Sequence, residues 1–324
     1  MSNDTIRKGG LHIKRVIIDT DTASDDAVAL VMALREPEIK VEAITVVAGN
    51  VPLPTAVYNA CMSVEYAQSY RPPIYAGMSR PLIRDVAITA THVHGQDGMG
   101  DVGTFKKPEI KPESEHGVDA LIRLIGAASE GEIDLITLGP LTNIAMAIRR
   151  APEVMCKLKH ITMMAGLVSG SNGMRPYAEY NMYADPEAAD IVCGFGVPFT
   201  MCTLEACGAA DDKEAAFTAD EVEELLNSGS ELARFCVECN RALVRFRPLS
   251  ALILADPTAI AVFMHPEIIK ESFEAYTRIE LRGERTYGTT VSDRNGWSGK
   301  PYNSLIVGKL HGKAFKDYVR KLIV

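Results

Sequence analysis

The sequence predicts an α/β protein: a single domain on a mainly parallel, Rossmann-like open sheet flanked by helices, with a small antiparallel hairpin late in the chain. Three observations carry this. Short apolar runs alternate with longer, helix-length segments along most of the 324 residues, the pattern of strands that pair in parallel through helical crossovers. The runs themselves, such as Val41–Val47, are mostly apolar, as strands covered on both faces should be. Near the end the alternation stops, and Phe273–Leu281 and Thr286–Val291 read as two antiparallel strands around Gly283. No repeat and no low-complexity linker divides residues 1–324.

The elements follow in order. After a loose lead-in, Met1–Lys14, the run at Arg15–Asp19 is a buried strand and Asp25–Arg35 a helix that stops before Pro37. Val41–Val47 is the second strand, Thr55–Tyr70 a helix, and Ile74–Gly77 a short strand. From Thr89 to His116 the chain is rich in Gly, His and Asp, too long for an ordinary connection, and reads as a functional loop or lid. Helix Val118–Ala128, strand Ile133–Leu138, helix Ile144–Arg149 and strand His160–Met164 continue the alternation. A second Gly-rich loop spans Ala165–Pro176. A helix starts within Ala178–Glu187 and ends near Cys193, and Val197–Met201 is a strand. Asp220–Phe246 reads as two helices broken at Ser228-Gly229-Ser230, Pro257–Phe263 as a short helix, and Lys309–Leu322 as the C-terminal helix.

Composition narrows the function. A 47% hydrophobic content suits a sizeable globular core. A net charge of −8 without a dense Lys/Arg block argues against a nucleic-acid or anionic-membrane surface. No apolar run approaches the ~20 residues of a membrane span, and the polar N-terminus has no secretory h-region. Seven cysteines, an odd number, point to a reducing cytoplasm and reduced thiols. Cys236 and Cys239 have zinc-like spacing, but they fall in a helical stretch without a second such pair, so buried thiols are the better reading.

The chemistry concentrates at Asp19, Asp21, Asp25 and Asp26, four carboxylates within eight residues. They follow one apolar run and open the next helix, so they sit at a strand's C-terminal end, where open α/β sheets place their ligands. Like charges this close repel unless a cation joins them, and oxygen ligands suit Ca²⁺ or Mg²⁺. A solvated, N-capping acidic turn is the bland alternative. An EF-hand loop counted from Asp19 fails, with Ser24 where Gly belongs and Leu30 where Glu belongs. A D-x-D-x-T/V aspartyl phosphatase is disfavoured by Ala23, as is a metal-dependent phosphohydrolase by that mismatch and the lack of a phosphate-binding loop.

Taken with the rest of the chain, this stretch resembles the calcium-dependent nucleoside N-ribohydrolases, the inosine-uridine-preferring nucleoside hydrolase family. The D-x-D-x-x-x-D-D run matches its hallmark. So do Val47–Asn50, Gly77 with Arg80-Pro81-Leu82, the His94–Gly100 loop, Leu138–Asn143, and Met164-Ala165-Gly166 with Asn172, Ala178–Asn181 and Asp185-Pro186-Glu187. The resemblance implies hydrolysis of the N-glycosidic bond of ribonucleosides. It implies Ca²⁺ held by Asp21, Asp26 and Asp256 and by the Leu138 carbonyl, with a water and the ribose 2′- and 3′-hydroxyls completing the shell. Asp21 would be the general base for that water. Asp25, Asn50 and Asn181 would hold the diol and support the ion, and Met164, Asn172 and Glu179 would hold the 5′-hydroxyl side. Asp19 would be a supporting acid, and His94 would close over the base. A homodimer or homotetramer is also implied.

One position departs from the pattern. The His that many family members carry before the last metal Asp is Ala255 here. A purine-specific branch stacks the base on tryptophans, and the sole Trp, Trp297, lies outside the matching positions. Leaving-group activation falls among His92, His94, Arg245, Arg247 and Tyr177, and base preference is left open. The alternative is a non-catalytic ribose- or nucleoside-binding protein that keeps the metal site.

Overall fold

The computed structural model describes residues 7–8, 11–168, 177–209, 213–246 and 252–324. Arg7–Lys8 (β1) and Leu11–His12 (β2) pair antiparallel, so part of the expected lead-in has strand backbone. Then come β3 (Lys14–Thr20), α1 (Ser24–Arg35), β4 (Ile39–Val46), α2 (Leu53–Tyr66) and β5 (Ile74–Ala76). The long Gly/His-rich stretch contains one short helix, α3 (Thr91–His94). Next are α4 (Gly117–Ala127), β6 (Ile133–Thr137), α5 (Thr142–Arg150), α6 (Pro152–Met155) and β7 (Ile161–Met164). They are followed by α7 (Tyr180–Ala184), α8 (Pro186–Cys193), β8 (Phe199–Cys202), α9 (Ala219–Asn227), α10 (Glu231–Glu238) and α11 (Arg241–Phe246). The chain closes with α12 (Asp256–Met264), β9 (Ile269–Ile279), β10 (Thr290–Asp293), β11 (Ser304–Leu310) and α13 (Gly312–Ile323).

A nine-stranded sheet runs in the order β10-β9-β11-β8-β7-β6-β3-β4-β5. Neighbours from β11 through β5 are parallel, and β9 is antiparallel to both β11 and β10. The mixed, mainly parallel α/β sheet is therefore as expected. From β3 the chain moves outward to β4 and β5, then returns to the other side of β3 for β6. The crevice beyond the C-terminal ends of β3 and β6 is the topological switch point, where such sheets bind ligands.

Helices cover both faces. Val16 and Ile18 point into one apolar layer with α1, α2, α10, α12 and α13. Ile17, between them on the strand, points into the other with α4, α5 and α8. The strand reads as an unbroken apolar run because both its faces are buried. Among the described residues, no helix is long and apolar enough to cross a membrane.

Three sequence expectations are corrected. The late antiparallel pair is present as expected, and an additional strand, β11, lies between β8 and β9. The sequence reading assigned no strand there and began the last helix at Lys309, whereas β11 continues to Leu310 and the helix begins at Gly312. Cross-strand pairing decides this short stretch, with Ser304, Ile306, Val307 and Leu310 buried and a register shift near Lys309. Residues 220–246 form three helices rather than two. Asn240 breaks the second of them: its side-chain amide donates to the carbonyls of Cys236 (2.9 Å) and Ser24 (3.2 Å), taking bonds that a continuing helix would use. The helix ending at Cys193 is likewise two, because Asp185 caps α8 from within the run.

Candidate active site

The acidic stretch after β3 turns directly into α1, whose first turn carries Asp25 and Asp26. A helix N-terminus favours carboxylates there. Asp26 reaches back to accept the Ala23 amide at 2.9 Å and the Thr20 hydroxyl at 2.6 Å, which fixes the turn. Asp256 opens α12, far along the chain, and meets the same point. One oxygen each of Asp25, Asp26 and Asp256 lie within 4.8 Å of one another, and all three residues are buried.

Asp21 lies beside this group. Its Oδ2 accepts the Asn50 backbone amide at 2.6 Å, and its Oδ1 faces the Asn50 side-chain amide at 3.4 Å. The backbones after β4 and β6 close on it. A Cβ at Gly49 would fall 2.0 Å from Asp21 Oδ2, and one at Gly139 would fall 2.8 Å from its Oδ1. Only glycine permits either approach.

Burial dominates the electrostatics. It pushes the Asp26 carboxyl up to about 6, with repulsion from Asp25 added. Asp21 and Asp256 are driven well above the carboxylate range by burial and then by the other acids, chiefly Asp26. Behind them Asp19 is raised to about 7 by burial, although Thr45 (2.5 Å) and Asn143 (2.8 Å) donate to it. Among the described residues Asp25 Oδ1 is buried without a hydrogen-bond partner, and His94 Nδ1 stands 3.7 Å away. Mutually repelling carboxylates, one with an orphaned oxygen, form a donor set that fits a hard divalent cation.

The cluster opens into a cavity. Asp25, Asn50, Leu138, Met164, Glu179, Asn181 and Asp256 line its polar part. Asn181 donates to the carbonyls of Leu138 (2.9 Å) and Met164 (3.0 Å), tying the ends of β6 and β7 together. Glu179 caps α7, accepting the amides of Asn181 (2.9 Å), Met182 (3.3 Å) and Gly166 (3.1 Å). Read alone it would be a solvated acid; instead it is buried, and burial raises it to about 7.

The rest of the wall is apolar: Ala90 before α3 and Val93 within it, Leu204 after β8, Leu243 on α11, and Ile253 and Ala255 before α12. His92 and His94 of α3 complete it. The Thr89–His116 stretch thus supplies one side of the cavity. It is tied down where Asp97 Oδ1 accepts the amides of Met99 and Asp101 and where Asn59 holds the Asp97 carbonyl.

Of the residues singled out from the sequence, Asp25, Asn50, His94, Leu138, Met164, Glu179, Asn181 and Asp256 line one cavity, with Asp21 and Asp26 directly behind. Asp25, not Asp21, completes the closest carboxylate triad. Asn172 and Arg247 fall outside the described residues. Arg245 is exposed and Tyr177 is half exposed, and neither lines the cavity. Sequence reasoning gave no role to Tyr180, whose ring lines the cavity while its hydroxyl donates to the Ile88 carbonyl at 2.6 Å. It also missed the aliphatic wall, since a Leu or Ile facing a ligand carries the same signal as one facing the core.

Buried acids at a sheet's switch point, opening into a half-apolar cavity, define an enzyme for small molecules. Residues 16–317 match the family described as inosine-uridine preferring nucleoside hydrolase, and the chain belongs to it, a family of ribonucleoside N-glycosidases. It is 32% identical over 297 residues to the pyrimidine-specific ribonucleoside hydrolase RihB of Escherichia coli, covering 90% of this chain and 91% of that one. Among solved structures, a plant nucleoside hydrolase (the PpNRh1 enzyme) superposes with a TM-score of 0.88 at 27% identity, covering 96% of this chain and 98% of the other. A purine-preferring ribonucleoside hydrolase from Gardnerella vaginalis does so with 0.87 at 25% identity and the same coverage.

Proposed function

We propose that this chain hydrolyses the N-glycosidic bond of ribonucleosides, releasing the base and ribose with the help of Ca²⁺. The observation that carries the reading is the buried Asp25, Asp26 and Asp256 cluster, with Asp21 beside it, at the floor of a cavity that is polar on one side and aliphatic on the other. A sugar diol suits the first side and a planar base the second. Asp21, Asp26, Asp256 and the Leu138 carbonyl would hold the ion; that carbonyl keeps a lone pair beyond the one bonded to Asn181. When bound, the cation would acidify a water and fix the ribose hydroxyls.

The chain's own groups do the rest. Asp21 takes the proton of the attacking water, as a general base held in line by Asn50. Asp25, Asn50 and Asn181 orient the 2′- and 3′-hydroxyls, which removes much of the entropic barrier. Glu179 and Met164, which line the cavity, would hold the 5′-hydroxyl side, with Asn172 as the resemblance implies. The negative field of the cluster favours the oxocarbenium-like transition state. A 2′-deoxyribonucleoside would leave buried acids unsatisfied and is the poorer substrate.

The test is a ribonucleoside panel with Ca²⁺, read by reducing sugar and released base. Asp21→Ala is expected to abolish release with the circular dichroism unchanged. Full activity in that variant rejects Asp21 as base, and binding without release in the wild type supports a nucleoside-binding protein instead. We further propose that the chain is one hydrolase domain, that it works as a homodimer or homotetramer, and that it resides in the cytoplasm. Exposed Ile83, Val86 and Trp297 offer apolar contact area, and no disulfide joins the seven cysteines.

A further inference from the structure

Helix α7 brings Tyr180 and Asn181 to the cavity, and Glu179 caps its N-terminus, yet the helix is only five residues long. One turn has too few bonds to hold itself in place. Its far end is a bend: at Asp185 the backbone leaves the helical region (φ −145°, ψ 78°), and the Ala188 amide goes to the Asp185 side chain at 3.2 Å. The carbonyls of Tyr183 and Ala184 thus lose the amides that a continuing helix would supply. Arg84 takes their place, its Nη1 donating to the Tyr183 carbonyl at 2.6 Å and to that of Ala184 at 3.3 Å. Its guanidinium also lies 4.4 Å from the Tyr183 ring centre and 5.3 Å from that of Tyr287, and those rings meet edge to face. The same segment is tied on either side of Arg84. The Leu82 amide donates to Asp185 (2.9 Å), and the Ile88 carbonyl accepts the Tyr180 hydroxyl (2.6 Å). Arg84 itself does not line the cavity.

We infer that Arg84 is a positioning residue that sets specificity: by closing the C-terminal end of α7 it keeps Glu179 and Asn181 in place on the cavity wall, so that the sugar's 5′-hydroxyl is read strictly. A cation suits the end of a helix, where carbonyls point outward. A guanidinium can bond carbonyls in its plane while a ring lies against its face. The end that Arg84 fixes is one turn from the substrate side, because the Tyr183 amide donates to the Glu179 carbonyl at 2.9 Å. The turn therefore moves as a unit. Asn181 anchors it to the ends of β6 and β7, and Arg84 anchors the opposite end to residues 82–88. Without the second anchor the turn can tilt about the first, and a tilt of about an ångström at a substrate-positioning group costs up to about 10²-fold in rate.

The inference rests on the hydrolase reading, with Glu179 toward the 5′-hydroxyl, and its test separates the two. The substrates are inosine and uridine, each beside its 5′-deoxy analogue. Arg84→Met keeps a long side chain against the two tyrosines and removes the donors. It is expected to lower kcat/KM for the ribonucleoside about tenfold and for the 5′-deoxy analogue by less than about twofold, so that the preference between them shrinks. Arg84→Lys, which keeps a cation and a donor, is expected to restore most of that preference. Equal losses on both substrates mark a merely structural role and overturn the inference, as does an unchanged preference in Arg84→Met or a wild type that shows no preference. Hydrogen exchange of the intact protein gives a reading without turnover: amides 181–185 are expected to exchange about tenfold faster in Arg84→Met, with the β3 amides unchanged. Unchanged exchange at 181–185 overturns the inference whether or not any base is released. Absent turnover in the wild type overturns the hydrolase reading, while the exchange still decides whether Arg84 holds α7.

Discussion

Asp21 is held by one backbone amide and hemmed in by two glycines. The Asn50 amide donates to it at 2.6 Å, and Gly49 and Gly139 let two loop backbones come within contact of its oxygens. Adding a methyl at Gly49 places a carbon 2.0 Å from Oδ2, so the carboxylate must move. Gly49→Ala is expected to cut base release by about 10²-fold, the scale of an ångström-size misplacement of a reacting group. The far-UV dichroism should stay native, and wild-type kcat in the variant would show that this close contact does not position Asp21. The four acids of the first stretch were legible in the sequence because carboxylates packed this densely repel one another until a cation joins them. The glycines were legible only as turn residues, because the carboxylate each one avoids follows β3, in a part of the chain distant from both.

Among the elements, α9 and α13 are joined by a polar contact. Glu221 closes the capping box of α9, accepting the amide of the N-cap Thr218 at 2.9 Å, and receives Lys316 (2.9 Å) and Arg320 (2.7 Å) from α13. Partial burial raises its pKa, but the amide and the two cations outweigh it and hold the group at about 2. The folded value lies below the ordinary 4.5, so this contribution to stability is complete above that pH and is lost as pH falls toward 2. Glu221→Ala is expected to cost about 1–2 kcal/mol at pH 7, a cap plus two partly exposed ion pairs. Urea titrations should show the difference from wild type shrinking below pH 4.5, and a constant difference would refute the linkage. Periodicity revealed the long helices and most parallel strands. It did not reveal β11, because a short run of mixed character becomes a strand only once β8 and β9 flank it.

Across the whole molecule, the site opposes the fold that carries it. Asp26 is raised to about 6, and Asp19 and Glu179 to about 7, all chiefly by burial. Folded values above ordinary ones mean that these groups favour the folded state most below about pH 4, and that this stability is lost as pH rises through 6 to 7. In chelator, the denaturation midpoint is therefore expected to fall between about pH 5 and 8. Saturating Ca²⁺ at about pH 8 should recover stability, about 2.7 kcal/mol at roughly one hundred times its Kd. Asp256→Asn should shrink the recovery. A midpoint indifferent to Ca²⁺ in the wild type would remove the ion from the account.

By itself the sequence determined the α/β class, the order of most elements and the identity of the acids, because hydrophobic period and local charge density are properties of neighbouring residues. The resemblance already grouped Asp256 with Asp26; only the tertiary structure decided that Asp25 completes that triad, that Asn181 bridges two strand ends, that Ser24 meets His94, and that Leu204, Leu243 and Ile253 face a cavity rather than a core. Each of those is a meeting of segments far apart in the chain, and it exists only where the sheet's reversal beside β3 brings their ends to one crevice.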